Sequence, residues 1–462
     1  MKLSHALATV AAAGVACVGL AAGSPPAQAD TSVRTTFPLV RTFSGDQPNG
    51  PSRNPAVSGD GRIARAMAYE SDASNIVPGD SNGATDVFVA FRAPGWGPNG
   101  TPWQLQSTAL ASRGMDGAPA NGRSWDPELD GDSHHAPSCV AFVSEASNLV
   151  PRDTNRVADA FVYYFRSHRT IRVSIGSRGE QANGPSTDVS VEGDCDRVAF
   201  SSKATNLGLK RRDLRGLPRR IRDAWSTAVT SGNPAGVSQV YVHVSHATKL
   251  DKDFAGLTFM ASRTATDRAG AHSSSDVDFA ASGKALVFTS SARLDRADHN
   301  GYQDIYEYTM DRRFHSLPRG GGVQVLRFRT DLVSQGGNAA SSDASASDTG
   351  REIAYQTLAS NLLPGDSNGV SDIADANMAG HVPHQGWVSE SKGIGQPGNG
   401  ASNAPDMSGA GDFVLFDSDA TNLLPSQSHV DPDGVRDVFL WNRPTSNASL
   451  ESRSASDVFL TT

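Results

Sequence analysis

Short apolar runs recur along the chain, each closed by Gly, Asn, Asp or Pro. One set is "CVAFVS" from Cys139, "RVAFSS" from Arg197, "ALVFTS" from Ala285, "EIAYQT" from Glu352 and "FVLFDS" from Phe413. A second set alternates apolar positions: "DVFVAF" from Asp86, "DAFVYY" from Asp159, "QVYVHV" from Gln239, "DIYEYT" from Asp304 and "DVFLWN" from Asp437. Strand-length runs divided by turn formers predict antiparallel hairpins. No long amphipathic helical pattern appears outside one insertion, so the pattern predicts an all-β chain.

The runs belong to a repeat. "GDQPNGPS" (Gly45–Ser52) returns as "GEQANGPS" (Gly179–Ser186), and weaker copies complete six units starting near residues 45, 117, 179, 270, 336 and 395. Each unit holds enough runs for four strands, which predicts a six-bladed β-propeller of four-stranded antiparallel blades. The segment "PLVRTFSGDQPNG" (Pro38–Gly50) aligns with a fourth strand leading into a repeat. It is therefore expected to give the last blade its outermost strand and close the ring, in competition with the tail from Ser449.

"SARLDRADHNGYQDIYEYTM" (Ser291–Met310) resembles the TolB-like propeller repeat, with its D-G-N-type turn before D-I-Y. "VSGDGRIARAMAY" (Val57–Tyr69) is similar to the preceding hairpin of that repeat, with Gly59 in place of a proline. The resemblance covers the mature chain and implies the propeller fold. It leaves function open, because such propellers serve as protein-binding platforms and as modules attached to enzymes. TolB itself carries a separate N-terminal α/β domain to which nothing here corresponds, so a role in an outer-membrane Tol complex is not implied.

Lys2, an apolar stretch and Ala27-Gln28-Ala29 predict a cleavable secretory signal over 1–29, with one propeller over 30–462 and a secreted product. Cys17 lacks the leucine usual in a lipoprotein signal, and no later stretch is apolar enough to span a bilayer. Two mature cysteines remain, Cys139 and Cys195, which either pair across adjacent blades or stay as buried thiols. The net charge of −8 argues against general nucleic-acid binding. Nothing points beyond a monomer.

Gly79-Asp80-Ser81-Asn82-Gly83 fits G-x-S-x-G, but Ser81 lies between two β runs, and repeats put Ser367, Thr154 or His299 in its place. A nucleophile elbow needs a strand-to-helix turn, so no catalytic residue is assigned. The same loop sets Asp80, Asn82 and Asp86 around a tight turn, and Asp366, Asn368 and Asp372 repeat it. These oxygens suit calcium, although fewer than an EF-hand supplies. The alternative is that Asp86, Asp159, Asp304, Asp372 and Asp437 bond their own turns.

Aligning the first strands superposes Asn54, Asp126, Asp188, Asp276, Asp343 and Ala404. Two residues on, and so on the same face, lie Ala56, Glu128, Ser190, Asp278, Ser345 and Asp406. First strands line a propeller's channel, so Asp126, Glu128, Asp188, Asp276, Asp278 and Asp343 are candidate ligands for a cation or polar molecule, or else caps of neighbouring turns. The pairs His243/His246 and His381/His384, and His134-His135, lack a third metal ligand. The third repeat inserts residues 207–232, where seven basic residues surround Leu217, Ile221 and Trp225. This reads as a solvated excursion, with a basic amphipathic helix facing an acidic partner or surface polymer as the alternative.

Two function classes follow. One is a secreted, non-catalytic platform for a protein, peptide or polysaccharide. The other is an extracellular hydrolase or lyase acting on glycan or peptide at the channel mouth, since paired carboxylates at the right separation hydrolyse glycosides.

Overall fold

The computed structural model describes residues 40–450 apart from 60–63, 94–104, 132–135, 218, 220–221, 223–224, 226–227, 230–231, 234–235, 246–254, 267, 317–321, 380–381, 392–394, 425–434 and 444–446; of 311–316, 322–327 and 447–450 it describes the backbone. The expected signal, 1–29, lies outside these residues. Six sheets of four antiparallel strands, each hydrogen-bonded in chain order, form a six-bladed propeller. Blade 1 is β1 (Ser52–Val57), β2 (Ala66–Ser71), β3 (Asp86–Arg92) and β4 (Leu105–Leu110). Blade 2 is β5 (Ser124–Leu129), β6 (Cys139–Ser144), β7 (Asp159–Tyr164) and β8 (Arg169–Arg172). Blade 3 is β9 (Ser186–Val191), β10 (Arg197–Ser202), β11 (Gln239–Val244) and β12 (Thr258–Met260). Blade 4 is β13 (Ser274–Phe279), β14 (Ala285–Ser290), β15 (Asp304–Ser316) and β16 (Gly322–Leu332). Blade 5 is β17 (Ser341–Ala346), β18 (Glu352–Thr357), β19 (Asp372–Asn377) and β20 (His384–Trp387). Blade 6 is β21 (Ser402–Met407), β22 (Phe413–Ser418), β23 (Asp437–Asn442) and β24 (Asn447–Leu450). No helix among the described residues is long and apolar enough to cross a membrane.

The second strands are apolar on both faces because blades stack against both, as in β6, where every residue is buried. One cross-strand aromatic pair recurs between second and third strands: Tyr69–Phe88, Phe142–Phe161, Phe200–Tyr241, Phe288–Tyr306 and Phe416–Phe439, with centroids 5.7–6.0 Å apart. Blade 5 has Tyr355 opposite Ala374.

Two sequence expectations need correction. Among the described residues, the N-terminal segment does not supply the last blade's outer strand. Residues 41–51 form turns, Pro38 and Leu39 lie outside the described residues, and β24 from the tail pairs with β23 instead. The tail follows β23 through a short connection, so its closure entropy is far smaller than for a strand arriving from the other end of the chain. The seam between blades 6 and 1 is accordingly the loosest: Phe413, Leu415 and Val57 remain 40%, 38% and 56% exposed. Ala68, Ala141, Ala199, Val287 and Ala354, which match Leu415 in the other blades, are fully buried.

The insertion at 207–232 is also not a solvated excursion. Leu209, Leu214, Trp225 and Ala228 are buried in one cluster with Phe259 of β12 and Tyr308 of β15, in blades 3 and 4. The arm carries its own apolar anchors, which the density of arginines hides from a reading by composition.

Candidate functional site

Five of the aligned first-strand positions have a left-handed backbone: Asn54, Asp126, Asp276, Asp343 and Ala404, with φ between 48° and 56°. Each sits where the pairing with the second strand slips by a bulge. Asn and Asp tolerate this conformation better than other residues with a Cβ, which accounts for their recurrence. The first-strand acids fall in two tiers, set two residues apart along the strand.

In the first tier, Asp126 is pushed up to about 7 by burial and then by Asp188. Asp188 is raised by burial and by Asp276, and Asp343 by burial and by Asp276. In the second tier, Glu128 is driven well above the carboxylate range by burial, then by Asp278, Asp126 and Asp406. Asp278 reaches about 6, from burial and the Asp406 charge, and Asp406 is raised by burial. The second-tier acids stand on alternate blades, 2, 4 and 6. Among the described residues, no Lys or Arg forms an ion pair with any of these seven carboxyls.

Some of their oxygens serve the scaffold. Asp126 Oδ2 accepts the Val189 N–H of the next blade at 2.9 Å, and Asp278 Oδ2 accepts that of Ala346 at 2.7 Å. Ser190 and Ser345 do the same for Phe279 and Met407 at 2.9 and 3.1 Å. Asp188 Oδ1 accepts the hydroxyls of Ser201 and Thr187, while its Oδ2 is buried without a partner. The sequence reading missed Glu70. It is buried on β2, takes bonds from Arg53 and Asn54 at 3.0 and 2.6 Å, and adds to the field at Asp126. Polar residues at the matching positions of other second strands, Ser201, Thr289, Gln356 and Asp417, were the available signal.

The loop candidates form a different device. Asp86 accepts from Asn82 Nδ2 at 2.6 Å and from Ser112 Oγ at 2.5 Å, and Ser112 in turn accepts the Val87 N–H. Asp159 with Asn155 and Ser174, Asp304 with Asn300 and Ser334, and Asp372 with Asn368 and Ser389 repeat it. The same asparagines donate to the next repeat's Ala120, Ala182, Gly337 and Gly398 carbonyls, so each lock joins a third strand, its own fourth strand and the following turn. In blade 2, Arg172 bridges Asp153 and Asp159 at 3.0 and 3.1 Å. In blades 1 and 5, Asp80 Oδ1 and Asp366 Oδ1 are buried without a partner. Ser81 is exposed and precedes a strand.

Cys139 and Cys195 are joined across blades 2 and 3, with Cα atoms 6.5 Å apart. With Asp130 they make the one trio of potential metal-ligand atoms within coordinating distance among the described residues, and a disulfide sulfur is not a thiolate ligand. His243 is buried and paired with Thr258 at 2.9 Å, His384 is exposed, and His134, His135, His246 and His381 lie outside the described residues.

No family model matches the chain, and no curated protein matches it in sequence. Solved structures with a similar fold include TolB from Acinetobacter baumannii, at 11% identity and TM-score 0.36, over 79% of this chain and 58% of that one. The chain thus spans little more than half of that protein. A putative TolB from Agrobacterium tumefaciens matches at 13% identity and TM-score 0.37, over 75% of this chain and 84% of that one. An oligogalacturonate lyase from Vibrio parahaemolyticus matches at 9% and 0.41, over 85% and 76%. The fold is that of a six-bladed β-propeller of four-stranded blades.

Proposed function

We propose that the protein is a secreted, non-catalytic binding platform whose channel receives the positively charged groups of a protein or peptide partner. The observation behind this reading is the two-tier set of carboxyls, in which Asp188 raises Asp126 and Asp278 and Asp406 raise Glu128, with no ion pair to a described basic residue. Desolvated like charges are unfavourable until a cation arrives, so the site stores affinity for positive charge. Calcium is a further candidate occupant. The carboxylates are spread around the ring rather than gathered within coordinating distance of one ion, which favours an extended basic segment over a single metal.

A fluorescence-anisotropy titration with a lysine- and arginine-rich peptide tests this. Wild type is expected to bind it, and an Asp126→Asn/Asp278→Asn variant to lose at least about tenfold in affinity. Equal binding of an acidic peptide would end the proposal. A second reading, a hydrolase or lyase, draws on Asp126, whose value of about 7 suits a general acid. Cleavage of peptide or glycan by wild type but not by the double variant would replace the platform with an enzyme.

A further inference from the structure

Two segments depart from the repeat plan, and they meet. The first is the arm at 207–232 in blade 3. The second is the hairpin of blade 4, whose strands β15 and β16 run to 13 and 11 residues. The neighbouring strand β14 pairs with Asp304–Thr309 alone, so beyond that point the hairpin is a two-stranded ribbon paired from Met310↔Phe328 to Ser316↔Gly322. Trp225 of the arm packs between the two blades, 5.1 Å from Phe259 and 5.4 Å from Phe328 of β16. Arm and hairpin therefore share one apolar anchor.

They also share a charge. Residues 207–232 carry +5 and residues 310–329 carry +4, while the whole chain carries −8, so the rest carries −17. Arg211, Arg212, Arg215, Arg219 and Arg222 are exposed on the arm, and the backbone of β15 and β16 carries Arg312, Arg313, Arg327 and Arg329 on the ribbon whose Phe328 meets Trp225. Asp213 and Glu180 pair with Arg178 and Arg212, and Asp331 with Arg329.

We propose that this arginine module, on the outer strands and apart from the acidic channel, binds an acidic polysaccharide. Its basic residues are arginines but for Lys210, and the guanidinium fork suits carboxylate, sulfate and phosphate groups. Leu214 and Trp225 are buried, and among the described residues the arm exposes no large apolar side chain to enter a membrane. Among the described residues the module exposes no aromatic ring on which a nucleobase could stack.

The test uses the secreted chain with polygalacturonate, heparin, neutral dextran, single-stranded DNA and anionic phosphatidylglycerol vesicles. Binding to the two acidic polysaccharides is expected, weakening between 50 and 200 mM salt as screening grows, with none to dextran. Arg211→Ala/Arg215→Ala/Arg222→Ala should cost at least about tenfold in affinity with an unchanged melting temperature, since these side chains are exposed. Arg312→Ala/Arg313→Ala should weaken binding on its own. No polysaccharide binding at 50 mM salt, equal binding by both variants, or tighter binding to DNA or to vesicles would each overturn the proposal.

Discussion

The left-handed residue of five first strands links sequence to site most directly. Asn and Asp occupy it in four blades, whereas Ala404 at φ 49° bears a steric cost that Asn reduces. Ala404→Asn should therefore stabilise the fold by about 0.5–1 kcal/mol, a rise in Tm that calorimetry would detect; a fall would contradict the backbone explanation. Asp126 has the same conformation and a pKa pushed up to about 7. Its unfolded value is about 3.9, so the folded state binds more protons across that interval and stability falls as pH rises through it. Asp126→Asn keeps the backbone preference and removes the charge. It should raise stability by about 1–3 kcal/mol at pH 8, with the gain fading toward pH 4. An equal gain at both pH values would show that the charge is not the cause.

Within the blades, the Asn–Asp–Ser lock and the disulfide carry the connections. Asp372→Asn leaves Ser389 and Asn368 with a weaker acceptor and should cost about 1–2 kcal/mol, with calcium or with chelator alike. A loss seen with calcium alone would mark the loop as an ion site. The bond between Cys139 and Cys195 closes a separation of 56 residues, and replacing both by Ser should cost about 2–4 kcal/mol in a reversible melt. The loop was legible from sequence, because "PGDSNG" announces a turn and Asp86 its partner. Ser112, Ser174, Ser334 and Ser389 were not, since they lie a strand away and only hairpin register brings them to the aspartate. The blade count was legible for a related reason: six copies in register outweigh any single weak strand. The first-strand alignment also singled out acids that act on one another in the fold, as Asp188 does on Asp126. The bulge that aims them was hidden, because no residue spacing records a φ.

At the scale of the molecule, blades and charges are both unevenly distributed. Five blade interfaces bury their second strands and the sixth leaves Leu415 38% exposed. Leu415→Ala should cost less than about 1 kcal/mol, whereas Val287→Ala at the equivalent, fully buried position should cost about 2. Equal losses in denaturant melts would mean that the seam closes in solution. Positive charge gathers on the arm and hairpin, whereas the first strands of blades 2 to 6 carry acids without basic residues. The platform reading depends on these acids being ionised when the partner binds. Calorimetric titration of a lysine- and arginine-rich peptide at pH 8 and at pH 5.5 tests that dependence most directly. Asp126 and Asp278, at about 7 and about 6, are ionised at the first pH and largely protonated at the second. Affinity should fall at least about tenfold from pH 8 to pH 5.5, by the loss of those charges; an affinity unchanged between the two would contradict the channel as the binding site.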